Sequence, residues 1–580
     1  MMRRELAGLQ YRRLSTLWLR FFFSDLLLIV IVILIDSRED DYDYDYDYDY
    51  EKTDMTEMKI MPISLGLLLC AFAAGAQTYD LVFRHGEIID GSGAPAYAGD
   101  VAVKDGHIAA VGAVSGGAAR EIDLGGLVIA PGFIDVHTHA EDVLAMPAAE
   151  NFLRMGVTTL VLGNCGTSEL HLEVFFGKLE AEKFSPNVAS LIGHGTVRGR
   201  AMNGAFNRPP TDKEMATMKS LVEQAMKDGA VGLSTGLIYL PGTFAKTDEI
   251  IELAKVVSTY GGIYTSHTRN EGDRITNSLE EVFRIAREAK IRAEVSHIKL
   301  SGPNNWGHAA DVLALIAGAR AEGLQITQDA YAYTASSTGL GQLIPDSARE
   351  GGKFAQRLAD PAQKQTMVEE MRESLRRRGE TNYSYAVIAS CRHDKSLNGL
   401  TVVEAAKKLR GADTVDDQIE TILEIEKNGS ASAVFHGMNE EDLQCFLRQT
   451  NTMIASDSGV RSFGEGVPHP RGYGNNARVL SRYTRELKIL SLPDAIRKMT
   501  SLPAQTFQFK GRGLLQPGYW ADLVVFDPAK VEEHATYADP HHYATGFKYV
   551  LVNGTTVIED DKETSARPGM ILRHAAEGLR

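Results

Sequence analysis

The sequence predicts an α/β protein, a (β/α)8 TIM-like barrel with a small β-sandwich formed by its two flanks. Three observations carry that expectation. From Leu127 onward, short apolar β-branched runs alternate with helical patterns, which is how a parallel sheet of βα units reads. Eight such runs occur before the pattern ends, the number that closes a barrel. At 580 residues the chain also exceeds what one hydrophobic core supports, so a large domain and a smaller one are expected.

The strands are placed at Val128–Val136, Thr158–Gly163, Asn187–Ile192, Ala230–Ser234, Gly262–Ser266, Arg292–Ser296, Gln325–Asp329 and Thr452–Ser456. Helices fill most intervals, among them Asp212–Lys227, Thr247–Ser258, Ser278–Lys290 and His308–Glu322. Thr211 and Thr247 read as N-caps, because each opens a run with an acidic first turn. The seventh interval is too long for one helix. It predicts an inserted lid-like subdomain over 341–435, with helices at Pro361–Arg378, Val402–Leu409 and Asp416–Lys427 and a strand near Tyr385–Ala389. The barrel then divides into 128–340 and 436–505. Glycine-punctuated strands at 77–127 and 506–580 are expected to meet as one sandwich.

The N-terminus is a different matter. Lys59, the apolar Ile63–Phe72 and the small residues Ala74-Gly75-Ala76 form a signal-peptide pattern over 58–76, which implies export and a mature chain from about Gln77. Upstream, the ten apolar residues Leu26–Ile35 are short for a membrane span of about 20. The Asp-Tyr repeat over 41–50 is low complexity. Residues 1–57 therefore read as an over-extended or disordered start, a membrane anchor being the alternative. A net charge of −15 without a basic cluster argues against nucleic acid as a partner. Four cysteines in this length make no disulfide framework. Nothing here fixes an oligomeric state.

The chemistry lies in Pro-Gly-Phe-Ile-Asp-Val-His-Thr-His, residues 131–139. On a strand, positions i and i+2 share a face, so His137 and His139 present two imidazoles together. Other strands end in candidate ligands too: Gly163-Asn-Cys165, Ser266-His267, Ser296-His297 and Ser456-Asp457. All would converge on the C-terminal mouth of a barrel. Imidazole with thiolate favours zinc. A zinc ion on Cys165, His267 and His297 keeps a fourth position for water, and Asp457 can take that water's proton and give it to a leaving nitrogen. His137 and His139 with Asp457 make a second position. Lys299 and Arg471 are candidates for a substrate carboxylate, Arg471 the better because a guanidinium pairs bidentately. Tyr239 is a weaker candidate contact.

These segments, with Leu233-Ser-Thr-Gly-Leu-Ile-Tyr239, Thr265–Glu271, Pro468-His-Pro-Arg471 and Gly518–Pro528, resemble the amidohydrolase superfamily, specifically its N-acyl-D-amino-acid deacylases. The resemblance covers nearly all of 78–573. It implies a tight zinc on Cys165, His267 and His297, a weaker second metal at His137 and His139, and Asp457 as acid/base. It also implies that Lys299, Arg471 and Tyr331 hold the substrate carboxylate and that small N-acyl amino acids of D configuration are the substrates. Asp457-Ser458 departs from the Asp-Gly common in relatives. A cyclic amidase is the alternative, against which strand 4 ends in Ser234-Thr-Gly with no lysine to bridge two metals; a D-residue dipeptidase on the same fold is another. A binding protein without catalysis has no use for Asp457. His194 reads as a pocket or idle loop residue, and His308, His436, His541 and His542 as solvated or packing. Cys391 and Cys445 read as structural, and Trp306 as part of a pocket wall.

Overall fold

The structure, a computed structural model, describes residues 79–574. The readings of 1–57 and 58–76 fall outside that range. Eight parallel strands form the barrel: β1 (Phe133–Asp135), β2 (Val157–Leu162), β3 (Asn187–Ser190, resumed as Ile192–Gly193), β4 (Gly232–Gly236), β5 (Ile263–His267), β6 (Arg292–Val295), β7 (Ile326–Ala330) and β8 (Thr452–Ile454). A parallel bridge from Thr138 to Ser458 joins the first strand's end to the eighth's and closes the ring. The strands are buried almost without alternation, as a sheet covered on both faces requires.

The helices pack outside with one apolar stripe each. Ile275–Ala289 buries Ile275, Leu279, Val282, Phe283 and Ala286, spaced at one helical face. Asp212–Lys227 begins at Thr211 in a reciprocal capping box with Glu214, as the sequence suggests. The second expected cap is not one. Thr247 lies inside the helix Thr247–Thr259, whose N-cap is Lys246, and its hydroxyl donates to Glu281 across to the neighbouring helix.

Two boundaries move. The expected strand Val128–Val136 breaks at Gly132: Val128–Pro131 belongs to the outer sheet, and only Phe133–Asp135 to the barrel. A Cβ at Gly132 would lie 2.3 Å from Thr158 Oγ1, so only glycine lets the chain pass this close to β2. The insert starts before 341, since Ser336–Gly339 pairs antiparallel with Ala431–Phe435, and Ala386–Cys391 pairs with the other edge of that strand. Its helices Pro361–Arg378, Val402–Arg410 and Val415–Lys427 enclose a separate core around Met371, Ile388, Ile419 and Ile422.

The flanks meet, and they do so within a single sheet. Strands from both ends of the chain make one nine-stranded sheet, in which Leu523–Phe526 pairs antiparallel with Val128–Pro131. Alternate residues Leu81, Phe83, Val101, Val103, Leu523, Val525, Tyr549 and Leu551 meet in one cluster.

Candidate metal centre at the barrel mouth

The strand ends deliver the candidate ligands to one point. Cys165, His297 and Asp457, just beyond β2, β6 and β8, all adopt the left-handed backbone, with φ of 52°, 36° and 52°. Such angles cost a non-glycine residue about 1–3 kcal/mol and persist only where surroundings over-determine them. Here hydrogen bonds do so. Asn164 Nδ2 donates to Val161 O at 2.9 Å and Val136 O at 3.3 Å, tying the cysteine turn to the end of β1. Asp329 Oδ1 accepts from His297 N at 3.0 Å, and Asp135 accepts from Ser456 N at 3.1 Å. Gly163, at φ +78°, allows the turn itself, because a Cβ there would sit 2.2 Å from Leu191 O.

Cys165 Sγ is the centre of the cluster. It lies 3.3 Å from His137 Nε2, 3.5 Å from His267 Nδ1 and 3.5 Å from His297 Nε2. Zinc bonds of about 2.3 Å to sulfur and 2.0–2.1 Å to nitrogen at tetrahedral angles put ligand sulfur and nitrogen about 3.6 Å apart. The donor set therefore fits zinc in kind and in spacing. His137 is closer to the sulfur than the sequence reading placed it: His137, Cys165 and His297 form one group whose ligand atoms all lie within 4.8 Å of one another. A second such group is His137, His139 and Asp457, with His139 Nε2 3.3 Å from Asp457 Oδ1. His139 is the most open of these side chains, at 39% exposure.

The electrostatics suit anionic ligands. Burial alone would raise the Cys165 thiol, but His137, then His139 and His267, hold it well below its ordinary value. For Asp457 burial is likewise overcome, first by Arg471 and then by His297, so the carboxylate stays ionised.

The proposed carboxylate-binding groups line the same mouth. Arg471 Nη1 is 2.9 Å from Asp457 Oδ2, while its buried Nε has no hydrogen-bond partner. The guanidinium lies 4.5 Å from the centre of the Tyr331 ring, and Lys299 Nζ 5.7 Å from it. Lys299 is buried and donates to Glu271 Oε1 at 2.6 Å and His297 O at 2.9 Å. Tyr239, half-buried, has its ring edge-on to His267 at 4.9 Å.

Three contacts escaped the sequence reading. Glu271 lies on a loop four residues past His267 and faces His267, His297 and Lys299; Lys299 above all, then the two imidazoles, hold its carboxyl far below the usual range against the effect of burial. Asp329 is 3.3 Å from His137 Nδ1. His469 donates through Nε2 to Ala335 O and accepts at Nδ1 from Arg471 N, which sets the arginine's backbone. Only the histidine of Pro-His-Pro-Arg and the repeated strand-end carboxylates could have signalled them. His194 stays away from the centre, buried with Nε2 2.9 Å from Glu249 and Arg198 beside it. His308 pairs with Asp311 on the surface, His541 packs against Tyr473, and Trp306 donates to Gly437 O.

Comparison with known proteins agrees with this geometry. The model of the amidohydrolase family matches residues 120–558. A D-aminoacylase of Alcaligenes xylosoxydans xylosoxydans is 36% identical over 86% of this chain and 99% of its own length. An N-acyl-D-glutamate deacylase from Bordetella bronchiseptica, solved with zinc and a phosphonate mimic of the tetrahedral intermediate, superposes with a TM-score of 0.74 at 33% identity, over 86% of this chain and all of that one. A D-aminoacylase structure described by a binuclear metal centre, with one-metal activation and second-metal attenuation, gives 0.74 at 34% over 85% and 100%. With its closed barrel and a cysteine among the strand-end histidines, the chain belongs to the amidohydrolase family, in its D-aminoacylase branch.

Proposed function

We propose that the protein hydrolyses the amide bond of N-acyl-D-amino acids with one tightly held zinc, releasing a carboxylate and a free D-amino acid. The observation that carries this is the Cys165 thiolate ringed by imidazoles at zinc-ligand spacing, with the ionised Asp457 3.7 Å from one of them, His137, and 3.3 Å from His139. Cys165, His267 and His297 would hold the ion. His137, His139 and Asp457 would line a weaker second position. Held by Cys165, His267 and His297, zinc would supply Lewis acidity toward the amide carbonyl and lower the pKa of water toward neutrality.

The chain's own groups do the rest. Asp457 Oδ1, facing His139, takes the proton of the attacking water and returns it to the leaving nitrogen, so one carboxylate serves as base and then acid. Arg471 and Lys299 orient the substrate carboxylate, with the Tyr331 ring between them as an apolar wall. The D configuration is supported by the named activities of the relatives, which differ in the side chain they accept. We further read residues 58–76 as an export signal, which places the reaction outside the cytoplasm.

Metal analysis of the purified protein, combined with release of amine from N-acetyl-D- and N-acetyl-L-amino acids, tests the reading. The expected result is about one zinc per chain at full activity, strict D preference, and loss of activity on chelation that zinc restores. Equal rates on both hands, or activity that survives removal of the metal, would overturn it.

A further inference from the structure

The segment Thr265–Glu271 ends on a largely buried carboxylate, 13% exposed, that the reaction as described leaves without a task. We propose that Glu271 is a positioning residue that couples retention of the metal to capture of the substrate carboxylate. This rests on the zinc-hydrolase reading of the site.

One oxygen serves both purposes. Glu271 Oε1 is 3.2 Å from His297 Nδ1, 3.6 Å from His267 Nε2 and 2.6 Å from Lys299 Nζ. Each imidazole turns its other nitrogen, His267 Nδ1 and His297 Nε2, toward Cys165 Sγ. A histidine can offer a lone pair on that side only if its far nitrogen carries the proton, and an acceptor at the far nitrogen selects that tautomer. Glu271 Oε1 is that acceptor for His297, at 3.2 Å, and at 3.6 Å it faces His267 Nε2 by charge and not by a hydrogen bond. His267 Nε2 is buried without a hydrogen-bond partner, and the carboxylate 3.6 Å away favours a proton on that nitrogen by charge.

The same tautomer governs Lys299. Its ammonium has three hydrogens and three neighbours: Glu271 Oε1, His297 O and, at 2.9 Å, His297 Nδ1. Once Nδ1 is protonated it cannot accept, which leaves one ammonium hydrogen for an incoming carboxylate. The state of His297 that binds metal is thus the state in which Lys299 is free to bind substrate.

The loop is built to hold Glu271 there. Arg269 is anchored to Glu281 and to the carbonyls of Thr243 and Ala245. Asn270 Oδ1 accepts from Gly272 N and Arg274 N, and Glu271 O accepts from Ser301 N at 2.7 Å.

The simpler reading is that Glu271 only neutralises a buried lysine, and three variants separate the two. Zinc affinity is measured by chelator competition and KM with an N-acetyl-D-amino acid. Glu271→Gln is expected to weaken zinc binding about 10–100-fold, as loss of a ligand's supporting carboxylate does, and to raise KM. Lys299→Met is expected to raise KM while zinc affinity stays as in wild type. The double variant Glu271→Gln with Lys299→Met is expected to remain as weak for zinc as Glu271→Gln. Recovery of wild-type zinc affinity in the double variant, or wild-type affinity in Glu271→Gln itself, overturns the coupling and leaves only a counter-ion. If Glu271→Gln fails to fold, Glu271→Asp, which withdraws the oxygen while keeping the charge, takes its place with the same expectation for zinc. A wild-type protein that binds no zinc sinks the underlying reading; an active, zinc-loaded wild type beside an unaffected variant sinks this one alone.

Discussion

Asp457 is fixed from three sides: Arg471 by charge, His139 by contact, and its own backbone N–H donating to His137 O at 2.9 Å. Its amide isostere keeps that packing and loses the proton traffic. Asp457→Asn is therefore expected to lower kcat by about 10²–10⁴ with zinc content unchanged, as read by steady-state kinetics beside metal analysis. The Ser458 departure has a local explanation. Its hydroxyl accepts from Arg461 Nε at 3.3 Å rather than touching the Asp457 carboxylate. At this scale the sequence was informative where a ligand sits at a strand end, since His267 and His297, 30 residues apart, mark consecutive βα units. Glu271 was hidden because a loop has no period that tells which way a side chain faces. His137's approach to Cys165 was hidden because spacing gives the order of strand ends around a ring and not the distances across it.

The junction at Gly132 shows how elements limit one another. Residues on either side are strands in different sheets, and β2 presses against the backbone between them. Gly132→Ala is expected to destabilise the protein by about 1–3 kcal/mol, seen as a lowered denaturation midpoint, with partial recovery in Gly132→Ala combined with Thr158→Ala. An apolar run read from sequence cannot reveal such a break, because both halves are equally buried. The helix Leu492–Met499 offers a pH-dependent counterpart. Its Lys498 is buried, donates to Gln449 O and Thr452 O at the start of β8, and is pushed by burial down to about 8 from 10.5. Between those two values the unfolded chain binds the proton more readily. The cost of the buried charge is therefore complete below pH 8 and fades as pH rises toward 10.5. Wild type is expected to gain about 3 kcal/mol over that window relative to Lys498→Met, measured by denaturant unfolding of both proteins at its two ends.

Across the whole molecule, the order of parts was readable because barrel, insert and flanks differ in pattern: unbroken apolar strands, amphipathic helices, and short strands between glycines. The joins were less so, as at Ser336, where the insert's first strand follows the barrel without a change in composition. Among the described residues no helix is long and apolar enough to cross a membrane. The proposed export predicts processing after Ala76, with Gln77 as the first residue found by mass spectrometry of protein recovered outside the cytoplasm; an intact leader there, or no protein there, would sink that proposal. The pairing of Leu523–Phe526 with Val128–Pro131 then acquires a meaning in time. Two strands about four hundred residues apart must meet before the outer sheet is whole. The ribosome makes the second of them near the end of its work, so this sheet cannot be completed while the chain is still being synthesised. A polypeptide that finishes late stays threadable longer, a property that suits the proposed export.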